Sequence, residues 1–170
     1  MKKILLSFLL LTSFLLLTGP ALAAPAPRLS IAKLEQLPIV TMRPYDEAAN
    51  AEAQVAAAFA RAQKSHKRVL IDLGGNWCPD CIILTNLMKL PQMRRFMDRH
   101  YELVMVDVGR FNRNLQIPAR FGLAKLRGVP ALLIVTPGGK LINKDNVFAT
   151  TDARNMTPQA MADYLAKYTN

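Results

Sequence analysis

Apolar positions along the chain change their period several times, and each change marks an expected element. Between Asp46 and Lys64, Ala48, Ala51, Val55, Phe59 and Ala62 recur at helical spacing among Glu, Gln and Arg, which predicts an amphipathic helix. Val69-Leu70-Ile71-Asp72-Leu73 is a nearly continuous apolar run closed by Gly74-Gly75, the pattern of a short buried strand. Helical spacing returns from Ile82 to Leu90. Pro91 disturbs a helix interior but suits a first turn, so Gln92 to His100 reads as a second or kinked helical piece. Leu103-Val104-Met105-Val106 predicts a strand over Glu102 to Val108, followed by a polar loop from Gly109 to Gln116 and a short helix around Pro118 to Ala124. Ala131 to Val135 reads as a strand, and Pro137-Gly138-Gly139 as a tight turn into a second, antiparallel strand at Lys140 to Asn143. Thr157-Pro158 then opens a closing helix with Met161, Leu165 and Tyr168 on one face.

This order predicts an α/β architecture, a central mixed β-sheet flanked by helices on both faces. Ahead of it, Ala24 to about Arg43 is rich in proline and lacks a sustained period, so it reads as an arm on the surface with one short strand near Ile39 to Met42. The first residues are of a different kind. A basic start at Met1-Lys2-Lys3, an apolar run from Ile4 to Leu17 and the small-residue end Ala21-Leu22-Ala23 predict a cleaved secretory signal. The run is shorter than the ~20 residues a membrane-spanning helix needs. The expected organisation is a signal peptide over 1–23, an N-terminal arm or linker over 24–45 and one domain over 46–170.

Composition adds a constraint on partners. The formal net charge is +10, and it stays near about +8 once Lys2 and Lys3 are removed. Such a field favours acidic partners or anionic surfaces. The basic residues are scattered rather than grouped with aromatics, so nucleic-acid binding is not expected.

Two cysteines, Cys78 and Cys81, stand three positions apart in an exported chain. A structural bridge would close too short a loop to constrain the unfolded chain much. A zinc site would normally want four ligands, and His66 and His100 are the only histidines. Both remain alternatives to a redox-active pair. At a strand-to-helix turn, Cys78 would stand at a helix N-cap, where free N–H groups stabilise a thiolate, and an exposed position would make it the nucleophile. Cys81 would lie one turn along the same face, and Pro79 would fill the first helical position. Asp80 either opposes ionisation of Cys78 or points to water in the first turn.

Asp72, Trp77-Cys78-Pro79-Asp80-Cys81 and Gly128-Val129-Pro130 together resemble the thioredoxin superfamily, specifically its exported bacterial members, over about Val69 to Lys167. The resemblance implies a thioredoxin-like fold in which Cys78 attacks, Cys81 resolves and a buried Asp72 takes the Cys81 proton. It also implies that Pro130 is a cis-proline facing the cysteines, with the Val129 backbone free to pair with a substrate segment, and that Trp77 is a supporting contact. Three departures stand out. Pro79-Asp80 matches neither ordinary thioredoxins nor the strongly oxidising periplasmic enzymes. Leu103 stands where thioredoxins carry a lysine that partners the buried carboxylate, and Arg110, Arg113 and Arg127 lie on longer loops that are candidate recognition surfaces. The expected function is a monomeric periplasmic thiol-disulfide oxidoreductase that reduces protein disulfides without a cofactor and is recharged by a membrane-bound electron donor. A disulfide oxidase or isomerase, and a non-enzymatic thiol-based binding or metal-delivery module, are the alternatives.

Overall fold

The computed structural model describes residues 23–169, so the expected signal peptide lies outside the described residues apart from Ala23. The first long element, α1 (Ala51–Ser65), begins five residues later than the apolar pattern suggested. The reason is local: Asp46 folds a turn by accepting the Ala48 N–H, and the Asn50 side chain caps the helix by accepting the Ala53 N–H at 3.0 Å. Short polar side chains of this kind compete with helix propagation and favour its start. The helix ends at His66, which turns left-handed at φ 58°.

Strand β1 (Arg68–Gly74) is central, pairing in parallel with β2 (Tyr101–Asp107) and antiparallel with β3 (Ala131–Val135) in the order β2-β1-β3. Its side chains alternate between two cores. Val69, Ile71 and Leu73 face α1 together with Val55, Ala58 and Ala62. Leu70 faces the opposite layer, formed by α2 (Pro79–Met88), α3 (Pro91–His100) and α5 (Pro158–Ala166), whose Leu84, Leu87, Phe96, Met161 and Leu165 are buried there. The chain is thus a mixed sheet with helices on both faces. A short α4 (Gln116–Ala119) precedes the loop to β3, nearer the N-terminus than expected because the segment after Ala119 turns at Gly122, with φ +80°.

Two expected strands do not form. The hairpin after β3 closes at Gly139, but the returning segment reduces to a single bridge between Val135 and Leu141. Asn143 replaces the missing backbone: its amide donates to the Leu132 carbonyl at 2.7 Å and accepts the Ile134 N–H at 2.9 Å. The arm strand near Ile39 to Met42 is likewise absent. Asn86 on α2 accepts the Val40 and Thr41 N–H groups and donates to the Thr41 carbonyl, which takes the segment out of reach of a sheet ladder. Elsewhere the arm is anchored, with Leu37 buried and Leu29 bonded to Gln159 of α5.

Asn143→Ala would leave a buried N–H and a buried C=O of β3 unpaired. It should cost about 2–6 kcal/mol of stability, read by denaturant unfolding, at the rate of about 1–3 kcal/mol per unsatisfied group.

Candidate active site

The turn from β1 into α2 places the two sulfurs. Cys78 is the N-cap of α2, with extended backbone at φ −95° and ψ 111°, and its Sγ accepts the Cys81 N–H at 3.2 Å. Pro79 takes the first helical position, where a missing N–H is no loss. On the other side, the Cys78 thiol reaches the Val129 carbonyl oxygen at 3.6 Å, and the Val129–Pro130 peptide bond is cis. The loop carrying Val129 and Pro130 therefore lies directly against the first cysteine.

Cys78 is not open to solvent as the sequence suggested. It is only 3% exposed, and Cys81 is fully buried. The two sulfurs are chemically unlike. The Cys78 thiol is held below its ordinary value, chiefly by its hydrogen bond with Cys81 and then by the N–H groups at the helix start, against its own burial and the Asp80 charge. Cys81 is pushed strongly upward by the same contact with Cys78, by burial and by the Asp72 carboxylate. One sulfur favours the anion and the other retains the proton.

Asp72 lies in the middle of β1, fully buried, with Met105 and Leu132 as its neighbours in register on either side. None of their side chains, nor that of Leu103 two residues before Met105, can donate a hydrogen bond. The donor comes instead from the arm: the Tyr45 hydroxyl donates to Asp72 Oδ1 at 3.0 Å, while Oδ2 has no hydrogen-bond partner among the described residues. Burial raises the Asp72 carboxyl to about 7, and the Tyr45 hydrogen bond only partly opposes this. Gly74 belongs to the same cluster, since a Cβ there would overlap the Tyr45 hydroxyl and come within 2.9 Å of Cys81 Sγ.

Asp80 neither faces the thiolate alone nor points to water. It is 5% exposed, and three nitrogens of Arg154 grip it through four bonds: the backbone N–H donates to Oδ1 at 2.8 Å, Nε to both oxygens at 3.0 and 3.1 Å, and Nη2 to Oδ2 at 2.5 Å. Burial alone would raise the Asp80 carboxyl, but the Arg154 bonds outweigh it and hold the group low. Arg154 also feels the charge of Cys78, so a compensated ion pair borders the first cysteine.

Trp77, 38% exposed, forms the outer wall. Its indole N–H donates to the Gly109 carbonyl at 2.7 Å, Phe111 meets its ring edge-on at 5.9 Å, and the Arg110 guanidinium sits 5.0 Å over the ring. The loop that does this carries Gly109, Phe111 and Asn114 all at positive φ, tied back by the Asn114 side chain to the Asp107 carbonyl. The loop arginines are anchored: Arg113 pairs with Asp107 at 2.9 Å and Arg127 stacks over Phe148 at 4.8 Å.

The structure thus gathers Asp72, Trp77, Cys78, Pro79, Asp80, Cys81, Val129 and Pro130 around one turn. Sequence reading missed Tyr45 and Arg154. Neither lies at a spacing that signals its role, since Arg154 meets Asp80 from 74 residues away and Tyr45 lies 27 residues from Asp72.

Two outcomes follow from these carboxylates. Because the folded Asp72 carboxyl at about 7 lies above its unfolded value near 3.8, the native state binds the extra proton between those values, and stability falls as pH rises through that window. Asp72→Asn abolishes this loss, so reduced variant and wild type should diverge by roughly 2–4 kcal/mol more at pH 8 than at pH 4 in denaturant unfolding. Arg154→Met frees the Asp80 charge beside Cys78 and should raise the Cys78 pKa, read from the pH dependence of its alkylation. Asp80→Asn should lower it.

Comparison with known proteins agrees with this geometry. A sequence profile of the family described as thioredoxin-like matches residues 50–137. The thiol:disulfide interchange protein DsbD 1 of Pseudomonas aeruginosa is 32% identical over 108 residues, which is 61% of this chain but only 17% of that protein, so the chain spans about a sixth of this relative's length. The crystal structure of a disulphide isomerase from Xylella fastidiosa Temecula1 superposes with a TM-score of 0.71 at 35% identity, over 75% of this chain and 98% of that one. With half of its length matched by the profile and the paired cysteines at the start of α2, the chain belongs to the thioredoxin-like family.

Proposed function

We propose that the chain is a periplasmic oxidoreductase that mainly reduces disulfides in other proteins. The observation that carries this reading is the asymmetric sulfur pair, an N-capped Cys78 disposed to ionise and a buried Cys81 that keeps its proton beside Asp72. Cys78 thiolate attacks a substrate disulfide, forming a mixed disulfide and releasing one substrate sulfur. Cys81 then attacks Cys78 Sγ, its proton passes to Asp72, and the second substrate sulfur leaves. The pair is oxidised by two electrons and the substrate reduced by two. Val129 is placed to meet an extended substrate segment, because its carbonyl already borders Cys78.

The direction rests on charge. Asp80, although paired with Arg154, still opposes the Cys78 thiolate and so moderates the stabilisation that Cys81 and the helix start give it, and a less stabilised thiolate makes a less oxidising disulfide. The leader expected over 1–23 supports a location outside the cytoplasm, where a membrane-bound donor would have to recharge the domain. One copy suffices, since Tyr45, Asp72, Cys78, Cys81 and Arg154 all belong to a single chain. Isomerisation is the second reading, favoured by the description of the solved Xylella fastidiosa relative as a disulphide isomerase.

The reduction potential of the Cys78–Cys81 couple separates the two. A value toward that of thioredoxin, near about −270 mV, is expected for a reductase; one toward about −180 mV or above would reverse the assignment. Cys81→Ser should accumulate a mixed disulfide with an oxidised substrate protein on non-reducing gels. If none forms, thiol exchange is not the function.

A further inference from the structure

The residue that the sequence pattern did not announce, Tyr45, occupies an unusual place. It comes from the arm, outside the stretch matched to the family, yet it is 3% exposed in the centre of the site. Its hydroxyl is the side-chain donor to Asp72, on the strand position whose sheet neighbours are apolar. It also borders Cys81, since a single point above Gly74 lies within contact of both the Tyr45 hydroxyl and Cys81 Sγ.

The backbone of Tyr45 is fixed as firmly as its side chain. Asn76 accepts the Tyr45 N–H at 2.9 Å and returns a bond from its own amide to the Tyr45 carbonyl at 2.8 Å. Asn76 lies two residues before Cys78, so the active-site turn itself clamps the arm. A second bond from the Asn76 amide to Glu47 at 2.7 Å extends the clamp. An arm held merely for packing would not need a buried hydroxyl, which is costly unless it has a partner.

We propose that Tyr45 is a positioning residue for the resolving half of the exchange: its hydroxyl orients the Asp72 carboxylate that receives the Cys81 proton and keeps that carboxylate available as a base at neutral pH. This rests on the reading of the pair as a thiol exchanger, in either direction of electron flow. In the step, the Cys81 S–H bond breaks, the proton passes to Asp72, the Cys81 sulfur bonds to Cys78 Sγ, and the bond from Cys78 to the substrate sulfur breaks. The substrate leaves as thiolate and takes a proton from water. Removing the hydroxyl deprives the charged form of Asp72 of its donor, so the proton is held more tightly and the base form becomes scarcer.

The test is a single turnover of the full chain with a disulfide-bonded fluorescent peptide, timing mixed-disulfide formation and peptide release separately across pH. For Tyr45→Phe the midpoint of the release profile should move up by about one pH unit, slowing release at pH 7 about fivefold, with mixed-disulfide formation little changed. In an Asp72→Asn background the same substitution should have no further effect on release. An unmoved midpoint, or an equal and additive slowing in that background, overturns the proposal and leaves Tyr45 as packing. Should the Tyr45→Phe chain fail to fold, 3-fluorotyrosine introduced at position 45 supplies a stronger donor and should move the midpoint down; an unmoved midpoint is again fatal. Mixed-disulfide trapping by Cys81→Ser with the same peptide distinguishes the failures. No trapped species means that thiol exchange itself is wrong, whereas trapping with an unmoved profile refutes only the role of Tyr45.

Discussion

A carboxylate in the middle of a central strand is the constraint around which this molecule is arranged. Asp72 has strands on both sides and helices above, and moving its charge out of water is expensive unless bonds replace the lost hydration. It receives one hydroxyl bond where a stable anion would want several, so its ionisation is held near neutrality. Several otherwise separate choices satisfy this one group: a glycine at 74 that leaves room, a tyrosine reaching in from the arm, and an asparagine at 76 that fixes the tyrosine backbone.

Asp80 shows what the same chemistry becomes with a different partner. It is nearly as buried as Asp72, yet its carboxyl is held low because Arg154 supplies a full positive charge and several N–H bonds. Asp72 has a neutral donor and rises. Two aspartates within nine residues of each other thus take opposite states: one changes its protonation near pH 7, the other is a fixed negative charge beside Cys78. Neither assignment comes from the residue type. Both are made by the side chain across from it.

Much of this was legible in the chain, and what escaped has a common cause. The strand Val69 to Leu73, the helix start at Pro79, the capping by Cys78 and the layered sheet all rest on local period and local turn chemistry, which a sequence carries openly. The strand at Lys140 to Asn143 failed because an amide side chain can imitate a backbone pair, and apolar alternation does not register Asn143 doing so. The start of α1 moved because the apolar pattern continued past Asn50 while the cap did not. Arg154 and Tyr45 were invisible for the opposite reason: their partners lie far along the chain, and nothing in the segment around either residue marks it. The burial of Cys78 belongs to the same class, since the loop that meets it carries Val129, 51 residues later.

The arm therefore has a different standing from that of a linker. A proline-rich segment without periodicity normally runs over the surface and is free to vary. Here its exposed part, Ile39 to Met42, is followed within a few residues by a side chain buried at the redox centre. The connection runs in both directions: Tyr45 completes the environment of Asp72, and Asn76, in the turn that presents Cys78, holds Tyr45. The bonds of Asn86 to Val40 and Thr41 add a second attachment on α2, the helix that carries Cys81. A displacement of the arm would thus remove the donor to Asp72 and also pull on the turn and the helix that carry Cys78 and Cys81. The proton affinity of Asp72 and the placement of the sulfurs are thereby coupled through one segment, which touches the carboxylate by Tyr45 and the cysteine-bearing elements by Asn76 and Asn86.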